Sequence, residues 1–353
     1  MDILDTKKYI INRLVSFFAR EFIFNFKTRF IINQISAISL SYFICKLRIA
    51  AILSDYDGTL CPTGSLRSQN NAIPQELEDI LWTVSEKIPI CIVSSKDFNF
   101  LHRRTRFAVI ISCILGIETL VLSRHERGTI TTDKKCIIKE PDTNNLSCIK
   151  SSHLLLNKEV LNNNSKVLAS LAEDIELKFK EQVIVERKFT TASLDGGRIL
   201  AGVTIDWRHL EEWGLFKKKT EPLLEKLINK HSEKGSAFTS FNPRFPNLYI
   251  QTYSSHPFID VYSTNCDKGL AFDNVISRIR YVGNNNEGNI LYLGDSENDN
   301  PAFRRADVSI GIKSDERLNP KLECEYSINY SELSPFLKRL QNNEFIFSNS
   351  FLK

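Results

Sequence analysis

Short, unbroken apolar runs punctuate this chain: Ile49-Ala50-Ala51-Ile52-Leu53, Pro89-Ile90-Cys91-Ile92-Val93, the stretch 109–115, Ile290-Leu291-Tyr292-Leu293 and Val308-Ser309-Ile310. Runs of this length that do not alternate with polar residues fit strands buried on both faces, as in a parallel sheet. Between the first two, Pro74 precedes Glu76, Leu77, Ile80, Leu81 and Val84 at helical spacing, and predicts a helix with Pro74 in its first turn. Asp97 stands at the cap position of a further helix carrying Phe98, Leu101 and Phe107. Thr119–Leu122 reads as one more strand. The strand–helix–strand alternation predicts an α/β fold, doubly wound around a mainly parallel, Rossmann-like core sheet.

From about residue 125 the pattern changes. Val183–Val185 and Ile199–Trp207 flank Asp195-Gly196-Gly197 as the arms of a hairpin. Glu221-Pro222 opens a helical pattern through Leu223, Leu224, Leu227 and Ile228, and two strands follow at 248–252 and 258–262. The parallel-sheet style resumes with a helix near 268–280 and the strands at 290 and 308. The implied division is an N-terminal hydrophobic extension (1–47), a catalytic core (48–124 with 263–335), an inserted α+β cap (125–262) and a C-terminal tail (336–353).

Composition changes this picture at one end only. Residues 1–48 hold eight Lys/Arg and three Asp/Glu, a net of +5, which leaves 38 basic and 39 acidic groups for the rest. The body has no basic bias, so nucleic-acid binding has no electrostatic support there. The longest uncharged run in the extension, Phe30 to Cys45, includes Asn33, Gln34 and three Ser. It falls short of the ~20 mostly apolar residues of a membrane span. Met1 is the sole methionine. Residues 1–46 therefore read as an over-extended start with translation opening at Leu47, as an accessory amphipathic helix on an anionic membrane, or as a true span. The eight cysteines form no CxxC pair and no zinc-type cluster. Cys91 and Cys113 lie in apolar runs, and a reducing, cytoplasmic setting is the expectation.

The chemistry gathers where strands end. In an open α/β sheet the carboxyl ends of strands share one edge, and ligands bind there. Strand 49–53 delivers Asp55 and Asp57. Strand 90–93 delivers Ser94 and Ser95. Strand 290–293 delivers Gly294-Asp295-Ser296-Glu297-Asn298-Asp299, and Lys268 opens a helix beside them. Clustered carboxylates need a cation, and hard oxygen ligands favour Mg²⁺. Carboxylates, a hydroxyl, an ammonium and such a metal suit phosphoryl transfer. One carboxylate attacks phosphorus while its neighbour moves protons, Ser94 donates to a phosphoryl oxygen, and Lys268 stabilises charge.

These four segments resemble the motifs of the haloacid dehalogenase superfamily of phosphatases. Asp55-Tyr56-Asp57-Gly58-Thr59 is similar to its DxDGT motif, Ser94 to its second motif, Lys268-Gly269 to its third, and Gly294-Asp295-Ser296-Glu297-Asn298-Asp299 to its GDSxND motif. The resemblance spans roughly 49–312. The insertion between the second and third motifs resembles the subgroup with a large α+β cap, which includes phosphatases of trehalose, sucrose and mannosyl-glycerate phosphates. Carried over, it implies Asp55 as nucleophile and metal ligand. Asp57 would be the acid/base, with its carbonyl on the metal. Ser94, or Ser95 in the alternative register, would join Lys268 in binding phosphate. Asp295 would be a metal ligand, with Asp299 beside it directly or through water, and Ser296 and Asn298 would orient this shell. Ser94-Ser95-Lys96 departs from the Thr-Gly-Arg of many relatives and resembles the mannosyl-phosphoglycerate branch.

The resulting expectation is a Mg²⁺-dependent phosphatase of a small phosphorylated metabolite, a sugar phosphate, working through an aspartyl-phosphate. A phosphoglycolate phosphatase, a phosphomannomutase-type transferase and a silent phosphosugar-binding regulator stand as alternatives. In the cap, Arg187, Lys188, Arg198, Trp207 and Arg208 read mainly as solvated strand-face residues, and Lys217-Lys218-Lys219 as a wet helix start. Trp82 and Trp213 read as packing residues.

Overall fold

Strand β1, Leu47–Ser54, lies near the middle of the larger of two sheets. The computed structural model describes residues 47–352, apart from 63–71, 124–147, 181, 195–196, 238–247, 253–255, 283–287 and 314–319. All readings of residues 1–46 lie outside these. In chain order β1 is followed by α1 (Gln75–Ser85), β2 (Ile90–Val93), α2 (Phe98–His102), β3 (Ile110–Cys113), β4 (Glu118–Leu122) and β5 (Ile149–Leu154). Then come α3 (Lys158–Lys178), β6 (Ile184–Leu194), β7 (Gly197–Asp206), α4 (Trp213–Ala237), β8 (Tyr249–Thr252), β9 (Phe258–Tyr262) and α5 (Lys268–Val282). The chain closes with β10 (Asn289–Gly294), α6 (Asn300–Phe303), β11 (Val308–Lys313), β12 (Tyr326–Asn329), α7 (Leu333–Asn342) and β13 (Ile346–Phe347).

The larger sheet runs β12-β11-β10-β1-β2-β3-β4-β5, with β13 pairing antiparallel to the start of β1. Every pair from β12 to β3 is parallel, while β4 and β5 are antiparallel additions at one edge. The expected doubly wound, mainly parallel sheet is present. The alternation of β1 explains its unbroken apolar run. Ile52 packs into one cluster with Leu77, Leu81, Phe336 and Leu340, and Ala51 and Leu53 pack into another with Ala271, Phe272 and Val275. Helices α1 and α7 thus cover one face and α5 the other, and no residue of the strand interior reaches water.

The second sheet, β6-β7-β9-β8, is antiparallel throughout. Alternate residues Val203, Ile205, Ile259 and Val261 meet Leu168, Leu171 and Ile175 of α3 and Leu224 and Ile228 of α4. Asn157 caps α3, its side chain accepting from the N–H of Val160 at 2.9 Å.

Several boundaries differ from the pattern reading. Strand β5, assigned above to the cap, pairs with β4 in the larger sheet. Its half-polar sequence IKSSHL gives no apolar run because it is an edge strand. The tail at 336–353 contributes Phe336, Leu337 and Leu340, all fully buried, to the main core. Helix α4 begins at Trp213 and carries Pro222 inside it rather than at its start. Helix α2 ends at His102. Phe107 lies beyond it, edge-on to Trp82 with ring centroids 6.3 Å apart. Trp82 is buried and Trp213 packs against the cap core, as expected.

Candidate active site

Three strand ends meet at one edge because β10, β1 and β2 are parallel neighbours. Asp55 follows β1 directly, and its N–H donates to the carbonyl of Leu293 on β10 at 3.0 Å. The chain then turns sharply. Leu60 and Cys61 both donate to the Tyr56 carbonyl at 3.0 Å, and Gly58 takes φ +78°. A Cβ at position 58 would stand 1.9 Å from Oδ2 of Asp295, so both the backbone angle and the space require glycine.

Lys268 opens α5 and is buried between two carboxylates. Its Nζ lies 2.7 Å from Asp55 Oδ2 and 2.7 Å from Asp299 Oδ1. Asp299 also accepts from Tyr292 Oη at 2.7 Å, from the N–H groups of Asp295 and Ser296 at 3.1 and 3.0 Å, and from Ser296 Oγ at 3.1 Å. Thr59 Oγ1 donates to Asp295 Oδ1 at 3.0 Å. Oxygen atoms of Asp55, Asp295 and Asp299 all lie within 4.8 Å of one another. Nine of the residues named from the sequence stand at this edge or on its flanking turns: Asp55, Asp57, Ser94, Ser95, Lys268, Asp295, Ser296, Asn298 and Asp299.

The electrostatics explain why such a cluster wants a cation. Burial, reinforced by the charges of Asp299 and Asp57, outweighs Lys268 and pushes Asp55 up to about 7. Burial and then the charges of Asp299 and Asp55 push Asp295 well above the carboxylate range. Burial would lower Lys268, but Asp299 and Asp55 hold it above its ordinary value. A hard dication accepts the oxygen donors that this crowding makes costly, so the donor set fits Mg²⁺. Asp299 fits direct ligation least well, because its two oxygens already accept the five hydrogen bonds given above.

Asp57 stands apart from that triad, half-buried, with Oδ1 out of contact with solvent and lacking a hydrogen-bond partner among the described residues. Its Oδ2 is 4.0 Å from Nζ of Lys96, and that ammonium is 3.1 Å from Glu186 of β6. Ser94 is buried at the end of β2. Its Oγ accepts from the N–H of Lys96 at 3.3 Å, which leaves its own hydrogen free to donate. Ser95 is half-buried.

Some contributors were not singled out above. Tyr292 and Glu186 are among them and carried no signal in sequence; Lys96 entered only as part of Ser94-Ser95-Lys96, with no role assigned to it. Several cap residues behave differently from their reading. Lys188 is buried, pairs with Asp260 at 3.0 Å and lies over the Tyr262 ring. Lys217 is buried and donates to the carbonyl of His256 at 2.9 Å. Trp207 belongs to the cap core. For Lys188 and Trp207 the reason is that α3 and α4 cover one face of the cap sheet and the core lies against part of the other; Lys217 is on α4 itself and turns in to the His256 carbonyl. Arg187 and Arg198 stay near the surface, Arg187 paired with Glu176 and Arg198 over the Phe189 ring. Arg208 is held by Asp206, with Nε to Oδ2 at 2.8 Å.

Residues 209–318 match the family model of haloacid dehalogenase-like hydrolases. Over that segment, about a third of its length, the chain is similar to haloacid dehalogenase-like hydrolases. The matched segment contains Lys268, Asp295 and Asp299, and the fold brings Asp55, from outside it, onto Lys268. No curated protein sequence matches the chain. Among solved structures it is similar to a trehalose-6-phosphate phosphatase related protein, at 15% identity and a TM-score of 0.51, over 83% of this chain and 97% of that one. It is also similar to the C-terminal domain of C. albicans trehalose-6-phosphate phosphatase, at 15% identity and a TM-score of 0.51, over 84% and 93%. At that identity the likeness is one of fold. Among the described residues no helix is long and apolar enough to cross a membrane.

Proposed function

We propose that this protein is a Mg²⁺-dependent phosphatase of a small phosphorylated metabolite, a sugar phosphate, and that Asp55 is its nucleophile. The observation that carries the reading is Lys268, seated at 2.7 Å from both Asp55 and Asp299 beside Asp295. The ammonium holds Asp55 Oδ2 in place, so Oδ1 is the oxygen free to attack. Attack on phosphorus forms an aspartyl-phosphate and expels the alcohol, and water then cleaves the acyl phosphate. Asp57 protonates the leaving oxygen and later takes a proton from that water; its partnerless Oδ1 suits the task. Ser94 Oγ–H and Lys268 donate to the phosphoryl oxygens. Asp55, Asp295 and the Asp57 carbonyl would hold Mg²⁺, which would supply the charge screening that lets an anion approach a phosphate. Asp299 anchors Lys268 and the 295–296 backbone, which is the role its five hydrogen bonds favour. The larger sheet, β5 included, with α1, α2, α5, α6 and α7 forms the catalytic part, and the β6–β9 unit with α3 and α4 is its cap.

The sugar reading rests on the cap. Glu186, Lys188, Thr204, Asp206 and Asp260 alternate with the apolar residues that face α3 and α4, and Lys96 ties Glu186 to the core. Lys188, Thr204 and Asp260 satisfy one another there, and the half-buried Lys96–Glu186 pair and Arg208, held by Asp206, offer donors and acceptors of the kind that read hydroxyl groups.

The test is hydrolysis of p-nitrophenyl phosphate and a panel of phosphorylated sugars and acids, with and without Mg²⁺. Activity that needs Mg²⁺, prefers sugar phosphates and vanishes in Asp55→Asn is expected. Full activity in that variant would falsify the covalent mechanism.

A further inference from the structure

The reaction leaves one buried carboxyl group unused. Glu118 opens β4 in the core sheet, is fully buried and forms no ion pair with the described residues. Its hydrogen bonds reach across to the cap. Oε1 accepts from Thr191 Oγ1 at 2.6 Å, from the Thr191 N–H at 3.1 Å and from the Ala192 N–H at 3.3 Å. Oε2 accepts from the Thr191 N–H at 2.9 Å, and Ser152 of β5 donates to Oε1 at 3.4 Å. Every partner is a donor, which is what a carboxylate with no proton requires.

The cap strand is shaped to supply those donors. Phe189 pairs with Leu200 and Ser193 with Arg198, so residues 190–192 bulge out opposite Ile199 alone. The N–H groups that a regular ladder would have used turn to Glu118 instead. Apolar packing fixes the same spot. Ile199, Ala201 and Tyr262 join the core cluster, and a Cβ at Gly202 would come within 3.0 Å of the Tyr262 ring and 3.2 Å of Ile114. The Ser263 N–H donates to the Ala201 carbonyl at 2.9 Å, and Asn164 Nδ2 to the Ser263 carbonyl at 2.6 Å.

Five residues before Thr191 the same strand carries Glu186, on Lys96 beside Asp57. At about 3.3 Å per residue the lever from Thr191 to Glu186 is about 16 Å. A 10° turn at the root therefore moves Glu186 by about 3 Å, enough to break its contact with Lys96.

We propose that Glu118 is a positioning residue: it pins the bulged root of β6 to the core sheet and so fixes where the cap tip, with Glu186, lands on Lys96 next to Asp57. The link to turnover rests on the phosphatase reading; the pin itself does not.

Glu118→Gln tests it, because the amide turns a donor toward a donor. Thr191→Val is the milder partner, removing only the 2.6 Å bond. Both are made in the full chain. With Mg²⁺, KM for the sugar phosphate that wild type turns over best is expected to rise about tenfold in Glu118→Gln. It should rise less in Thr191→Val, while kcat on p-nitrophenyl phosphate stays within about twofold. A purely structural role would lower kcat on both esters in step and leave KM alone, which overturns the proposal. Independently of activity, dyes on unnatural amino acids at the exposed positions Glu86 and Glu211 report the core-to-cap distance. Broadening in both variants is expected; an unchanged distribution in both refutes the pin. If wild type hydrolyses neither ester, the phosphatase reading fails and the distance measurement alone decides.

Discussion

Replacing Asp55, the proposed nucleophile, should make the metal-free protein more stable, and more so as pH rises. Asp55 is buried beside Asp299 and Asp57, and its carboxyl is pushed from an ordinary 3.8 up to about 7 despite Lys268. A raised folded-state pKa means that the folded protein holds the proton more tightly than the unfolded chain. The corresponding stability is fully present below about pH 4 and is lost as pH rises through 7. At about 1.4 kcal/mol per tenfold in proton affinity, that loss approaches about 4 kcal/mol by pH 8. Asn is a neutral isostere of the protonated acid and escapes it, while Lys268 keeps Asp299 as its partner. Without Mg²⁺ and with a chelator present, Asp55→Asn should match wild type near pH 4 and exceed it by several kcal/mol near pH 8. Thermal melts would read this as roughly 8 °C, taking about 2 °C per kcal/mol for a domain of this size. Saturating Mg²⁺ should erase or reverse the gap, because only wild type regains the energy by binding it. A difference in melting temperature that does not change with pH would refute the reasoning.

Gly58→Ala forces a Cβ to 1.9 Å from an Asp295 oxygen at a φ of +78°, and is expected to abolish Mg²⁺-induced thermal stabilisation; normal Mg²⁺ affinity would contradict this. Tyr292→Phe deletes one of the five bonds to Asp299 and should cost about 1–2 kcal/mol in chemical denaturation while sparing KM. Truncation after Pro335 strips Phe336, Leu337 and Leu340 from the main core and the β13 pairing from β1. At about 2 kcal/mol per buried side chain, that removes much of an ordinary 5–15 kcal/mol margin, so the truncated protein should lose its cooperative melt.

The central strands and the residues at their ends could be read from sequence because both follow from local rules. An uninterrupted apolar run has only a doubly buried strand to occupy, and parallel neighbours must end at the same edge. Lys268 and Asp55 are far apart in sequence, yet helix α5, packed through Ala271, Phe272 and Val275 on Ala51 and Leu53 of β1, brings them together. The edge and the cap were less legible. Strand β5 sits half-exposed at the rim, so its polar letters hid it. Lys188 reads as solvated until Asp260, 72 residues later, is seen to bury it. Glu118 looks like an ordinary strand-end acid, and nothing local to it announces the bulge at Thr191 that makes it useful. In each case the missing information is the identity of a distant neighbour.

The place of β10 in the sheet has a consequence for how the protein is made. β1 is complete at Ser54, but one of its two inner neighbours, β10, does not begin until Asn289. At about 5–20 residues per second a ribosome needs about 10–50 s to bridge that distance. Throughout this time the Ile49–Leu53 strand stays unpaired along one side, the condition under which apolar strands recruit the wrong partner. The nascent chain is expected to depend on chaperone cover until α5 and β10 emerge, and a pause in translation before Asn289 would prolong its exposure.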